Sequence, residues 1–258
     1  MTGVAGVAIH SVRMQLRLVL RRLGSLAPLL INPLYVVVFF GAVAAHRPSA
    51  ELLTSLGLTA FVMAAWGHAV FTASHVIDEE RFSGTMEVNL TAPAGYLVSL
   101  VVRIVTVTVL AAPVIAEVAV VGLLTHGTGL VIRVPFQFFV AVLTCLAGCA
   151  AGALLLSGLL VLVRGARTLQ NALTYPFYLL GGLILPHFSL PEGLRQLSDA
   201  FFLTWAVEGL RAAAAGSPGG WRDLGLAAAL AVASGAAGTL MLQRVLLRLR
   251  RGEVRFHD

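Results

Sequence analysis

Apolar residues come in long runs separated by short polar breaks along nearly the whole chain. The runs cover about 26–45, 53–76, 96–124, 134–163, 168–186 and 222–243. A helix needs about 20 apolar residues to cross the hydrocarbon core of a bilayer, so each run reads as a membrane span. Two stretches break the rhythm. In residues 9–23, Val12, Leu16, Val19, Leu20 and Leu23 fall on one side of a helix, and Arg13, Arg17 and Arg21 fall on another. That is the pattern of an interfacial helix, with its apolar face in the acyl boundary and its arginines toward anionic headgroups. No basic residue precedes Arg13 and no small-residue cleavage site follows a short apolar core, which argues against a signal peptide. In residues 187–221 the apolar pieces are only about 12 long, too short to span and suited to a re-entrant or interfacial path.

The pattern predicts an all-α membrane protein with six transmembrane helices. An N-terminal interfacial amphipathic helix (1–25) leads into the six-span domain (26–243), whose re-entrant outer segment (187–221) precedes the last span. A basic tail (244–258) follows. Charge fixes the expected orientation. Of the 258 residues, 58% are hydrophobic and 12% charged, about half the charge of a soluble domain. All 18 basic residues are arginine. With the N-terminus inside, thirteen fall on inner segments (Arg13, Arg17, Arg21, Arg22, Arg81, Arg103, Arg164, Arg167, Arg244, Arg248, Arg250, Arg251, Arg255) and five on outer ones (Arg47, Arg133, Arg195, Arg211, Arg222). The positive-inside rule favours this arrangement, with both termini cytoplasmic. The Arg, Ala, Gly, Leu and Val excess suggests a bacterium, and so its cytoplasmic membrane. The same Arg placement explains the net charge of +6 through membrane lipid, without nucleic acid.

The missing lysine narrows the chemistry. A P-loop needs Lys on the phosphates, and a Schiff base needs an amine. If ATP drives this chain, another polypeptide binds it. Cys145 and Cys149 share a face inside an apolar run and read as small packing residues, with no partners for a metal site. In the same run, Gly148-Cys149-Ala150-Ala151-Gly152 is a small-x-x-x-small pattern that lets two helices approach closely. His68 and His75 share a face of the second span and read as satisfied or interfacial. Arg103 sits two turns into the third span, where snorkelling to the interface is expected. Glu117 lies among Val114, Ile115, Ala116, Val118 and Ala119. A carboxylate there faces the bundle interior or water by default, as part of a substrate path or a proton-coupling site, or else reaches the outer headgroups. Intramembrane protease patterns fail: E-E-x-x-x-R would need Arg where Gly84 stands, and G-x-S-G would need Gly at Leu155. No catalytic centre is expected.

The densest charge is Asp78-Glu79-Glu80-Arg81, followed by Phe82-Ser83-Gly84-Thr85-Met86-Glu87 and ending at Ala92-Pro93. It must emerge between the second and third spans, on the inner face. Its acids run against the positive-inside trend, and Thr85 can cap a short helix. Acidic and apolar groups presented together suit docking into a groove on a soluble partner.

The run Glu79-Glu80-Arg81-Phe82-Ser83-Gly84-Thr85-Met86-Glu87, through Ala92-Pro93, resembles the coupling segment of type-2 ABC transporter permeases. The stretch from Leu190-Pro191-Glu192 through Val207-Glu208-Gly209-Leu210-Arg211 is similar to that family's outer re-entrant region, although Phe202 precedes Leu203-Thr204 where the family often has Pro. The resemblance implies that two permeases, identical or homologous, pair and that each binds a separate soluble ATPase subunit, present as two copies or two homologues. It places the ATPase contact on residues 78–93, carried by Asp78, Glu79, Glu80, Arg81, Gly84, Thr85 and Glu87. Mg-ATP would sit on the ATPase, leaving no cofactor on this chain. The cargo would be a drug, lipid, polyketide or glycan precursor, exported from the cell. The alternative from the residues alone is a proton-coupled secondary exporter using Glu117.

Overall fold

The computed structural model describes residues 4–21, 49–82, 96–127, 129–160, 166–183 and 187–250. Among them there is no strand. The helices are α1 (Val4–Arg21), α2 (Ala50–Phe82), α3 (Tyr96–Val109), α4 (Val114–His126), α5 (Pro135–Leu160), α6 (Ala166–Leu180), α7 (Glu192–Asp199), α8 (Phe202–Ala215) and α9 (Gly220–Arg250), with a 3-10 turn at His187–Ser189. Among the described residues four stretches are long and apolar enough to cross a membrane: Ala50–Phe71, Tyr96–Thr125, Pro135–Leu159 and Gly220–Arg248. The expected first span, 26–45, lies outside the described residues.

Local chemistry sets the helix ends. Ser49 Oγ accepts the Leu52 N–H at 3.2 Å, an N-cap that satisfies one of the orphan donors of the first turn. Pro135 opens α5, where a missing N–H costs nothing. The expected continuous span 96–124 is instead two helices. Pro113 has no N–H to give and its ring clashes one turn back, so the chain tightens: the N–H groups of Ala111 and Ala112 reach Thr108 O and Val109 O, each at 3.0 Å. These i→i−3 bonds are of 3-10 type. The expected fifth span, 168–186, stops as a helix at Leu180. Gly182 takes φ 66°, and the N–H groups of Gly182 and Leu183 return to Leu179 O at 3.2 Å and Tyr178 O at 3.1 Å. That is a Schellman end, which needs a left-handed residue. The last helix continues past the expected 243 to Arg250.

α5 is the axis of the bundle. α9 lies along it, and α2, α3 and α8 pack around it. A Cβ on Gly238 of α9 would sit 2.5 Å from Leu155 N and 2.7 Å from Leu154 C, so the two backbones nearly touch. Close approach of this kind is how helices associate where lipid supplies no hydrophobic drive. The largest buried side chain, Trp66 of α2, meets Phe177, Phe201 and Phe202 with ring centroids 5.5, 5.7 and 5.6 Å away.

The elements share two ends. At one, Arg133 pairs with Glu51, the Val131 N–H donates to Thr54 Oγ1 at 3.0 Å, and the N–H groups of Arg133 and Val134 donate to Ala214 O and Ala213 O. These contacts gather the starts of α2 and α5 with the end of α8. At the other end, Tyr96 and Leu97 of α3 pack on Leu246 of α9, and α1 lies on α3.

Candidate functional site

The acidic run is the continuation of a core helix. α2 carries Leu58, Phe61 and Trp66 in the core and keeps its helical backbone through Asp78, Glu79, Glu80 and Arg81 to Phe82. The apolar run of the sequence carries on to about Val76, so at 1.5 Å per residue the acidic turn begins roughly 3 Å beyond it. The side chains of these four residues, and all of Gly84, Thr85 and Glu87, lie outside what is described. What the backbone adds is stiffness: no break separates the charged turn from the packed part of the helix.

The far half of the same rod is tied to the segment before the last helix. Arg211 of α8 donates through Nη2 to Thr59 Oγ1 on α2 at 3.1 Å and to Gly182 O at 3.5 Å, and through Nη1 to Glu208 Oε1 at 3.2 Å. Next to it, Ser198 Oγ and Thr204 Oγ1 donate to Leu180 O at 2.6 and 3.0 Å, satisfying the last carbonyl of α6. The sequence marks Arg211 as an outer charge and as the end of the stretch that resembles the re-entrant region, without a partner. The Glu208-x-x-Arg211 spacing, one helical turn, was the available signal. Its bond to Thr59 joins residues 152 apart and could not be read locally.

Glu117 lies in the first turn of α4, just past the Pro113 break. It is half-buried, and its Oε2 is buried without a hydrogen-bond partner among the described residues. Glu117 and the acidic end of α2 are not brought together. Arg103 departs from expectation. It does not snorkel: it is 3% exposed, and its Nε donates to Gln15 Oε1 of α1 at 2.9 Å. The polar stripe of α1 reaches it before lipid or water does. His68 is buried on α2, while the side chain of His75 lies outside the described residues. Gly148 and Gly152 leave room for aromatic rings: a Cβ on Gly148 would collide with Phe202, and one on Gly152 would come within 2.6 Å of the Trp66 ring.

The described residues thus form a helical bundle with a broken apolar span and a core helix that runs on into an acidic turn. A family model described as ABC-2 type transporter matches residues 9–214. The chain belongs to that family. Comparison with curated proteins gives no match. As an ABC-2 permease domain it is a multi-pass membrane protein of transport, and the matched range runs from α1, through the acidic end of α2 and the Pro113 break, to the end of α8.

Proposed function

We propose that this chain is the permease subunit of an ATP-driven exporter of an amphipathic substrate: a drug, lipid, polyketide or glycan precursor. The observation that carries the reading is α2. One unbroken helix joins an acidic turn beyond the membrane stretch to a polar knot at Thr59, and it lies within the range matched by the ABC-2 family. A separate ATP-binding subunit, as two copies or two homologues, docks on residues 78–93 and holds Mg-ATP. This chain, lacking any lysine, has no P-loop to hold it. A second permease, identical or homologous, completes the path. The setting is the bacterial cytoplasmic membrane, with both termini and residues 78–93 on the cytosolic side, as the arginine placement favours.

On this reading, closure of the ATPases displaces the acidic turn. A helix with a packed core moves as a rod, so the displacement reaches Thr59, roughly 28 Å away. There Arg211 passes it to α8 and the turn after α6. Segment 187–221 dips back from the outer face. α8, about 21 Å long, is too short to span. It begins with Phe202 seated at Gly148, 13 residues into α5, and ends beside the start of α5. Glu117 lines the path between the broken span and α2.

Charge reversal at the contact is the test. Glu80→Arg is expected to insert normally but to lose at least about tenfold in co-purification with the ATPase, since like charge across a contact costs several kcal/mol. Transport in proteoliposomes should fall with it. Full ATP-driven transport by this variant overturns the docking site. Transport driven by a pH gradient without ATP, and abolished by Glu117→Gln, would favour the proton-coupled alternative.

A further inference from the structure

The helix least explained by energy coupling is α1, and the structure divides it into three faces. Ser11, Gln15 and Val19, four residues apart, are buried against α3. Ser11 Oγ lies 2.9 Å from Ser99 Oγ, and Gln15 Oε1 accepts from the buried Arg103 Nε at 2.9 Å. Ile9 and Leu20 point away from the bundle, 56% and 69% exposed, with Val12 and Leu16 half-buried between them. Arg13, Arg17 and Arg21 form the third face, all exposed.

The polar seam fixes the roll of the helix. A shift of one residue turns it by 100° and breaks both directional bonds, so the apolar face and the arginine face are held side by side in one orientation. Acyl chains against Ile9 and Leu20, with phosphates over Arg13, Arg17 and Arg21, satisfy both at once, and one molecule class offers that pair: an acidic phospholipid. The end of α9 extends the same edge. Leu246 packs on Tyr96 at the start of α3, and Arg244 and Arg248 are exposed beside it, with Leu247.

We propose that α1 is a docking surface for acidic phospholipid headgroups, and that its docking is passed to α3 through the Ser11–Ser99 and Gln15–Arg103 seam. The break at 110–113 gives this contact somewhere to act. α1 grips α3, while α4, beyond Pro113, packs on α2. α3 itself packs on α2 and α5, so headgroup charge acts first on α3, the half of the broken span that α1 holds, and reaches α4 through α2. Three arginines near an anionic surface are together a factor on the order of a hundred in partitioning.

The transport half of the test rests on the permease reading, and the binding half does not. The full assembly is reconstituted in neutral liposomes and in liposomes with about 30 mol% phosphatidylglycerol, enough to set an anionic surface potential. A fluorophore is placed at Ile9→Cys, because Cys145 and Cys149 are fully buried. Quenching by nitroxide-headgroup lipid reports docking. The expected result is strong, charge-dependent quenching in the parent protein, unaffected by added inorganic phosphate and reduced at least tenfold in R13Q/R17Q/R21Q. ATP-driven transport should rise with anionic lipid in the parent. In Gln15→Leu it should lose that response while quenching persists. Equal quenching in the triple variant, competition by free phosphate, or a lipid response retained in Gln15→Leu overturns the proposal. If ATP drives no transport in any lipid, the permease reading fails, and the quenching still decides whether α1 binds acidic lipid.

Discussion

Gly238→Val is expected to remove most of the folded protein from the membrane. A Cβ at this position would lie 2.5 Å from Leu155 N, 2.7 Å from Leu154 C and 2.8 Å from Leu155 Cα. All three are backbone atoms of α5, so no side chain can rotate aside and the helices must separate. Overpacking a formed core costs about 1–3 kcal/mol when side chains can adjust, and a backbone obstacle sits at or above the top of that range. The affected seam runs from Gly235 against Ala151 to Gly158 against Met241. Gly225→Val is the matched control, because a Cβ there meets nothing within 4 Å. The check is the monodisperse fraction in detergent and its melting temperature. If Gly238→Val matches Gly225→Val, the close crossing of α5 and α9 is wrong.

This seam also shows how far the sequence could be read. Gly148 and Gly152 carry a small-x-x-x-small spacing that points to a close helix crossing. The spacing records room beside the helix, not what fills it. Here Phe202 and Trp66 fill it, from α8 and α2. The crossing with α9 lies half a turn further on, at Leu154–Leu155, residues that look like ordinary lipid-facing leucines. Its signature is on the partner, in Ser234-Gly235-Ala236-Ala237-Gly238, a stretch that sequence reading used only as length of the last span.

The helical class, the membrane setting and the family were legible because each rests on local composition or on a contiguous motif. Breaks were harder. Pro28, Pro33, Pro113 and Pro176 all fall within expected spans. The structure keeps α6 helical through Pro176 yet ends a helix before Pro113. A proline alone does not decide, since neighbouring groups settle whether the freed carbonyl can be re-satisfied. Arg103 misleads in sequence for a related reason. Snorkelling is the fate of a lone arginine, and only the docking of α1 brings Gln15 within reach. The acidic segment was located by its charge density, but that Asp78–Arg81 prolong a core helix was not, because the polar residues mask the continuing helical period.

Arg211→Met is expected to leave the protein folded and to cut ATP-driven transport by roughly ten- to a hundredfold, with the partner's ATP hydrolysis retained. A hydrogen bond to a charged group contributes roughly 1.5–3 kcal/mol, which is that factor in an equilibrium. Folding survives because the two side-chain partners are not orphaned, and only the longest of the three bonds, to the Gly182 carbonyl at 3.5 Å, is lost without replacement: Thr59 Oγ1 still donates to Ser55 O at 2.9 Å, and the Glu208 side chain is 38% exposed. Coupling does not survive, because Arg211 is the group that holds Thr59 of α2, the Gly182 turn after α6 and Glu208 of α8 at once. Methionine fills the space without a donor, so α2 can move without moving α8. Arg211→Lys discriminates further. A single ammonium lacks the planar fork that reaches separate acceptors, so it should restore transport only in part. The measurement is cargo moved per ATP hydrolysed in proteoliposomes. An unchanged ratio in Arg211→Met would mean that the motion of α2 reaches the outer segment through the aromatic contacts of Trp66 instead, and Trp66→Leu would then carry the loss.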